Sequence, residues 1–81
     1  MKRTQEIARV ILSLLSDWDE PADEAVIHAQ VNNRVMPEAM VSEFLAALTF
    51  CEQARLITGV RNELRGPRWA ITDKGRAARH Q

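Results

Sequence analysis

Acidic side chains form the densest cluster in this 81-residue sequence that could hold a cation. The stretch DWDE brings Asp17, Asp19 and Glu20 together just before Pro21. A calcium loop needs a sharp glycine turn and a glutamate at its twelfth position, and this stretch supplies neither. Acids near the start of a following helix are stabilised by the helix dipole, which is the simpler reason for their presence. We therefore expect no metal site.

Nucleophilic and titratable side chains are equally sparse. Cys51, the single cysteine, falls on the core-facing side of a predicted helix, as expected of a small buried hydrophobic residue. His28 and His80 lie far from it in the sequence and have no neighbour that would complete a nucleophile–base pair. The three glycines are isolated and form no phosphate-binding loop. The sequence thus predicts a protein that is not an enzyme and uses no cofactor.

The cysteine count and the N-terminal residues both bear on the compartment. One cysteine cannot form an internal disulfide, which is typical of a protein in a reducing environment. The apolar residues that follow Lys2 and Arg3 are interrupted by Glu6, Arg9 and Ser13. This run is too broken for a signal sequence and too short for a membrane span. We expect a cytoplasmic protein.

Charge is distributed unevenly along the chain, although the net charge is zero. Residues 1–54 contain four basic and nine acidic residues, a net charge of −5, whereas residues 55–81 contain seven basic and two acidic residues, a net charge of +5. A bipolar chain of this kind can present a positive surface to a polyanion. The alternative is that the two parts neutralise each other when they pack together.

Two amphipathic helices are predicted in the first part of the chain. The first covers about residues 4–16, and its apolar stripe at helical spacing comprises Ile7, Val10, Ile11, Leu14, Leu15 and Trp18. Pro21 cannot lie inside a helix, so the second helix follows it and covers roughly residues 22–31. Its buried side is predicted to hold Val26, Ile27 and Val31.

A third helix has two possible starts. Pro37 is acceptable as a first helical residue, and Ser42 is an equally suitable N-cap. The body of this helix is defined by a set of residues that share one side and can enter a core, namely Val41, Phe44, Leu45, Leu48 and Cys51.

The last third of the chain has the pattern of a β-hairpin followed by a short helix. LITGV is short and β-branched, a Gly-Pro pair supplies turn chemistry, and Trp69 and Ile71 alternate with other residues in RWAIT. Thr72 or Asp73 can then cap a last helix. The order helix, helix, helix, strand, strand, helix predicts a single α+β, mainly α domain over residues 1–81.

This order resembles the winged helix-turn-helix superfamily of bacterial and phage DNA-binding proteins over nearly the whole chain. LAALTFCEQARLITGV is similar to the end of a recognition helix that leads into the first wing strand. RWAITDKGRAAR is similar to the closing signature of the family, which falls on Trp69, Ile71, Thr72, Gly75 and Arg76. The resemblance implies a two-stranded hairpin wing and, in the closing helix, a glycine at which a side chain would crowd the hairpin.

The resemblance also implies double-stranded DNA as the partner, with the third helix in the major groove and the wing along the sugar-phosphate backbone. Trp69 and Ile71 would then point inward and close the core. Backbone contacts supply affinity and salt dependence without sequence information. The residues assigned to DNA by carry-over are Arg65 and Arg68 as main phosphate contacts, Arg34 and Arg61 as secondary ones, and Ser42 and Glu43 on the helix. The implied function is transcription regulation, with a dimer on two half-sites.

The third helix departs from most base-reading helices because residues 37–54 contain no Lys or Arg. Its predicted outward side holds Glu43, Ala46, Ala47, Phe50 and Ala54, with Ser42, Thr49 and Gln53 on the flanks. The small residues around Phe50 predict an interface for a second copy or a protein partner, formed by Ala46, Ala47 and Phe50. Alternatively, this helix is buried on two sides. A non-enzymatic protein-interaction module is therefore the second function that the sequence allows.

Overall fold

The structure, a computed structural model, describes residues 2–18, 20–60 and 66–79, apart from the side chains of Lys2 and Arg79. It is a mainly helical α+β fold with four helices and a three-stranded antiparallel sheet in this part of the chain. The elements in chain order are α1 (Lys2–Asp17), β1 (Ala22–Asp23), α2 (Glu24–Asn32), α3 (Val41–Gln53), β2 (Ile57–Val60), β3 (Arg68–Ile71) and α4 (Asp73–Arg79).

The first helix is the centre of the core, and its predicted apolar stripe is confirmed. Ile7, Ile11, Leu14 and Leu15 are buried, while Val10 and Trp18 pack against them half-buried. The helix packs against the other three helices and against β3. It extends slightly beyond the predicted residues 4–16 at both ends, as helix boundaries read from a sequence often do.

The sheet has one strand more than the predicted hairpin. β3 lies in the middle, with β2 on one side and β1 on the other. Ala22 pairs with Trp69, and the N–H of Glu24 continues this pairing by donating to the carbonyl oxygen of Pro67 at 3.0 Å. The sequence placed Ala22 in the second helix, which is wrong. A two-residue strand is too short to show the alternation that identifies strands.

The second and third helices begin at residues that the sequence did not indicate. α2 buries Ile27 and Val31 as predicted, but Val26 is 48% exposed. α3 starts at Val41 with Met40 as its N-cap, so neither Pro37 nor Ser42 begins it. The carboxylate of Glu43 accepts a hydrogen bond from the Met40 N–H at 3.0 Å, which stabilises this start.

The last helix closes the fold through Thr72. Its hydroxyl oxygen accepts a hydrogen bond from the N–H of Gly75 at 3.0 Å, which is the predicted N-cap, and its backbone N–H donates to the carbonyl oxygen of Leu56 at 3.0 Å. Gly75 is buried, and a Cβ placed on it would lie 2.1 Å from that same carbonyl oxygen. The prediction that a side chain here would crowd the hairpin is confirmed.

Trp69 and Ile71 pack half-buried against the core, in agreement with their predicted inward direction. The indole N–H of Trp69 donates to Oε1 of Glu24 at 3.1 Å, so the polar end of the side chain is paired. None of the helices in the described part of the chain has the length and apolar character needed to cross a bilayer.

Candidate nucleic-acid interface

The surface of α3 that faces solvent is a row of small and polar side chains. The helix buries Phe44, Ala47, Leu48 and Cys51. The positions opposite that buried side on an α-helix are exposed, and they hold Ser42, Ala46, Thr49 and Gln53 at spacings of four, three and four residues. We call these four residues the outer row. Exposed apolar residues flank it, Val41 and Leu45 on one side and Phe50 on the other.

This arrangement corrects the predicted orientation of α3. Ala47, assigned to a partner interface, is fully buried and cannot contribute to one. Leu45, assigned to the core, is 43% exposed. Small residues at helix contacts allow close approach, and Ala47 lies on the side of α3 that is packed into the core beneath α1. A prediction based on hydrophobicity places Leu45 in the core in preference to Ala47. The predicted core side of α3 is therefore rotated about the helix axis relative to the observed one. Ser42, Thr49 and Gln53, predicted on the flanks, belong to the outer row.

The start of α3 is fixed by two side chains from α2. His28 donates from Nε2 to the carbonyl oxygen of Ala39 at 2.9 Å, and Oδ1 of Asn32 accepts from the N–H of the same residue at 2.9 Å. The His28 ring also stacks on Phe44, with centroids 4.5 Å apart and planes within 8°. Because His28 and Asn32 lie one turn apart on α2, they hold both backbone groups of one residue in the connection to α3. The sequence did not indicate that either side chain fixes the start of α3.

Glu43, a predicted DNA contact, is occupied by contacts within the chain. In addition to the Met40 N–H, its carboxylate lies 3.4 Å from Nε of Arg3 on α1. Arg3 also donates to the carbonyl oxygen of Pro37. The Met40 N–H does most to hold the pKa of the Glu43 carboxyl below its usual value, partial desolvation opposes it, and the Arg3 charge adds to it. Glu43 thus joins α1 to the first turn of α3.

Replacing Glu43 with glutamine tests this connection through its pH dependence. A carboxyl group whose pKa is lowered by folding stabilises the protein above its unfolded pKa, about 4.3, and loses that contribution as pH falls through the folded value. We expect Glu43→Gln to be less stable than the wild type at pH 7, with a difference that shrinks below about pH 4. Urea unfolding at both pH values measures it. Glu52→Gln, at an exposed position on the same helix, is the control. A difference that does not change with pH would contradict the assignment.

Two arginine side chains near α3 are exposed and make no hydrogen bond or ion pair with any residue that the structure describes. Arg34, predicted as a secondary phosphate contact, lies in the turn after α2. Arg55, which was not predicted, follows the C-cap residue Ala54 and has a φ of 63°. Glycine is the usual residue at this position, and any other residue there costs about 1 kcal/mol in backbone strain.

Arg68 does not have the free guanidinium expected of a main phosphate contact. Its Nε lies 3.0 Å from Oδ1 of Asp23, and its Nη2 donates to the carbonyl oxygen of Pro21 at 2.9 Å. The first contact is an ion pair without the alignment of a hydrogen bond. Arg68 and Asp23 are register partners in β3 and β1, so the unpredicted strand supplies the acid that occupies this arginine. The other two predicted contacts, Arg61 and Arg65, lie outside the described residues.

No other chemistry competes with this surface in the described residues. Cys51 is fully buried, as predicted, and burial raises the pKa of its thiol to about 11. Over residues 2–18, 20–60 and 66–79, no three His, Cys, Asp or Glu side chains are grouped to hold a metal ion. Comparison of the chain with protein-family models, with curated proteins and with solved structures gave no match.

Proposed function

We propose that this chain is a small cytoplasmic DNA-binding protein of the winged-helix type, which regulates transcription. In this proposal α3 enters the major groove, and β2 and β3 form the wing. The observation that carries it is the outer row, which offers hydroxyl and amide groups to base edges, with unpaired arginines before and after the same helix. An α-helix with its side chains is 10–12 Å across, which suits a major groove about 12 Å wide.

Phosphate contacts supply most of the affinity in this proposal. α3 itself carries no Lys or Arg, and Glu43 and Glu52 add negative charge close to it. The attraction to DNA must therefore come from arginines outside the helix. Arg34 and Arg55 have free guanidinium groups in the described part of the chain, and Arg61 and Arg65 remain predicted contacts of the wing loop. A single short recognition helix reads few base pairs, so a dimer on two half-sites is the expected binding form.

The test is a salt titration of a variant that lacks the two free arginines next to α3, Arg34 and Arg55. We expect Arg34→Ala combined with Arg55→Gly to weaken binding to all duplex sequences and to reduce the slope of log K against log salt by about 2. Glycine at position 55 relieves the positive φ, so the free energy of unfolding should stay within about 1 kcal/mol of the wild type. A weaker affinity of this variant would then reflect the loss of phosphate contacts and not a loss of folding. Fluorescence anisotropy with a labelled duplex measures the affinity.

Arg9→Ala is the matched control, since Arg9 is an exposed arginine of α1 without a partner among the described residues. It should leave the salt slope nearly unchanged. If the wild type fails to bind mixed-sequence duplex even at low salt, the proposal is wrong. If the double variant binds with an unaltered slope, the phosphate contacts are assigned to the wrong residues.

A second candidate function is a protein-interaction module. It is favoured by the exposed apolar residues on both flanks of the outer row, because Val41 is 61% and Phe50 45% exposed. Ala46 and Phe50 remain available for such an interface, whereas Ala47 does not. In this case α3 would dock on an apolar surface, and Phe50→Ala would weaken association without affecting DNA.

A further inference from the structure

From the chemistry of the outer row, we infer that α3 reads A·T base pairs. This inference rests on the proposed function and specifies which duplexes α3 would select. The four side chains of the outer row provide two hydroxyl groups, two methyl groups and one carboxamide, and all four are exposed. From Ser42 to Gln53 the row covers 11 residue steps, or about 16 Å along the helix, which corresponds to four or five base pairs at about 3.4 Å each.

Guanine has no strong reader on this helix. The commonest specific contact to guanine is a bidentate hydrogen bond from Arg or Lys to O6 and N7. Every residue of α3 is described, and none of them is Arg or Lys. Arg34 and Arg55, the described arginines assigned to phosphates, lie in the turn after α2 and beyond the C-cap, off the outer row. A site rich in G·C pairs would therefore leave O6 and N7 of guanine without the bidentate Arg or Lys donor that binds them best.

Adenine and thymine both have matching groups. The carboxamide of Gln53 can donate to N7 and accept from N6 of adenine at the same time. The methyl groups of Ala46 and Thr49 are adjacent in the outer row, and each can contact the C5-methyl group of a thymine. Val41 and Leu45 add exposed apolar surface beside them. Contact between such side chains and the thymine methyl group displaces water from apolar surface and is favourable. Cytosine has no methyl group at C5 and offers no such contact.

Cytosine is the remaining alternative, because a glutamate can accept a hydrogen bond from its N4 amino group. The two glutamates of α3 are poorly placed for this role. Glu43 is already paired with the Met40 N–H and Arg3, and Glu52 lies on the flank with Val41 and Leu45, outside the outer row. If the selected binding sites contained C·G pairs, Glu52 would be the residue that contacts the bases, and A·T reading would be wrong.

The experiment selects binding sites from a random duplex library with the intact chain. We expect the selected site to contain a core of A·T pairs. Replacing core thymines by deoxyuridine removes the C5-methyl group and should weaken wild-type binding several-fold, and replacing adenine by 7-deazaadenine should weaken it about 5- to 100-fold. Gln53→Ala should lose the response to 7-deazaadenine, and Thr49→Ser, which keeps the hydroxyl, should lose the response to deoxyuridine at one position.

The outcomes separate the inference from the proposed function. Salt-dependent binding with a G·C core, with no preferred core, or with the same analogue responses in the variants would overturn A·T reading while DNA binding stands. No binding to any duplex at low salt would overturn both. Ser42→Ala is the variant control, because it removes a hydroxyl from the outer row without removing a methyl group or the carboxamide. It should keep both analogue responses.

Discussion

Replacing Gly75 with alanine is expected to lower the free energy of unfolding by about 3 kcal/mol. The added Cβ would lie 2.1 Å from the Leu56 carbonyl oxygen and 2.7 Å from Cγ1 of Ile71. The first of these atoms belongs to the backbone and also accepts the Thr72 N–H, so it cannot move aside without loss of that bond. The helix α4 must then separate from the chain between α3 and β2. Urea unfolding followed by circular dichroism measures the loss.

Gly66→Ala is the matched control for this substitution. It makes the same chemical change at an exposed glycine, where no heavy atom of the described residues other than its chain neighbours would lie within 4 Å of the new Cβ. Its free energy of unfolding should stay within about 1 kcal/mol of the wild type. Equal stability of the two variants would mean that α4 does not pack on Leu56 as described.

Phe44→Ala is expected to remove about 3–5 kcal/mol of stability, the range for large-to-small substitutions of buried aromatic residues. Phe44 is among the largest side chains that are fully buried, and it also carries the stacked His28 ring. Its loss leaves a cavity between α2 and α3 and removes one of the contacts that fix the start of α3. Thermal and urea unfolding measure the effect.

Phe50→Ala makes the same change on the same helix at a half-exposed position and should cost at most about 1 kcal/mol. Comparing the stability of the two variants therefore separates the effect of burial from the effect of residue type. If Phe50→Ala destabilises the protein as much as Phe44→Ala does, α3 is not oriented as described. Sedimentation of Phe50→Ala over a range of concentrations also tests the second candidate function, since unchanged association would exclude Phe50 as the anchor of an interface.

Elements in which an apolar pattern repeats over several turns were predictable from the sequence, and so was the turn that starts α4. The stripe of α1 repeats over three turns, and the Thr72 cap is a local contact with the N–H of Gly75, three residues further along the chain. The strand β1 was not predictable because it has two residues and depends on β3, which follows far later in the chain. A local sequence pattern does not indicate a strand partner that lies so far away in the sequence.

The candidate site was only partly predictable, for two physical reasons. The side of α3 that faces the core includes Ala47, a fully buried residue that hydrophobicity alone ranks low. The availability of an arginine depends on its neighbours in space. Arg68 has a suitable place in the sequence, but its guanidinium group is paired with Asp23. Arg55 has a free guanidinium group, and its positive φ could not be predicted because this conformation usually belongs to glycine.

The position of β3 in the middle of the sheet has a consequence for synthesis of the chain. Among the described residues, β1 and β2 each pair with β3 and not with each other. During translation both therefore emerge from the ribosome without a hydrogen-bonding partner, and the sheet assembles only after Ile71 has left the exit tunnel. Helix pairing between α1, α2 and α3 can precede this step, because their contacts are complete within the first 53 residues. The packing of the three helices therefore does not depend on the sheet, whereas the sheet depends on the strand that is synthesised last.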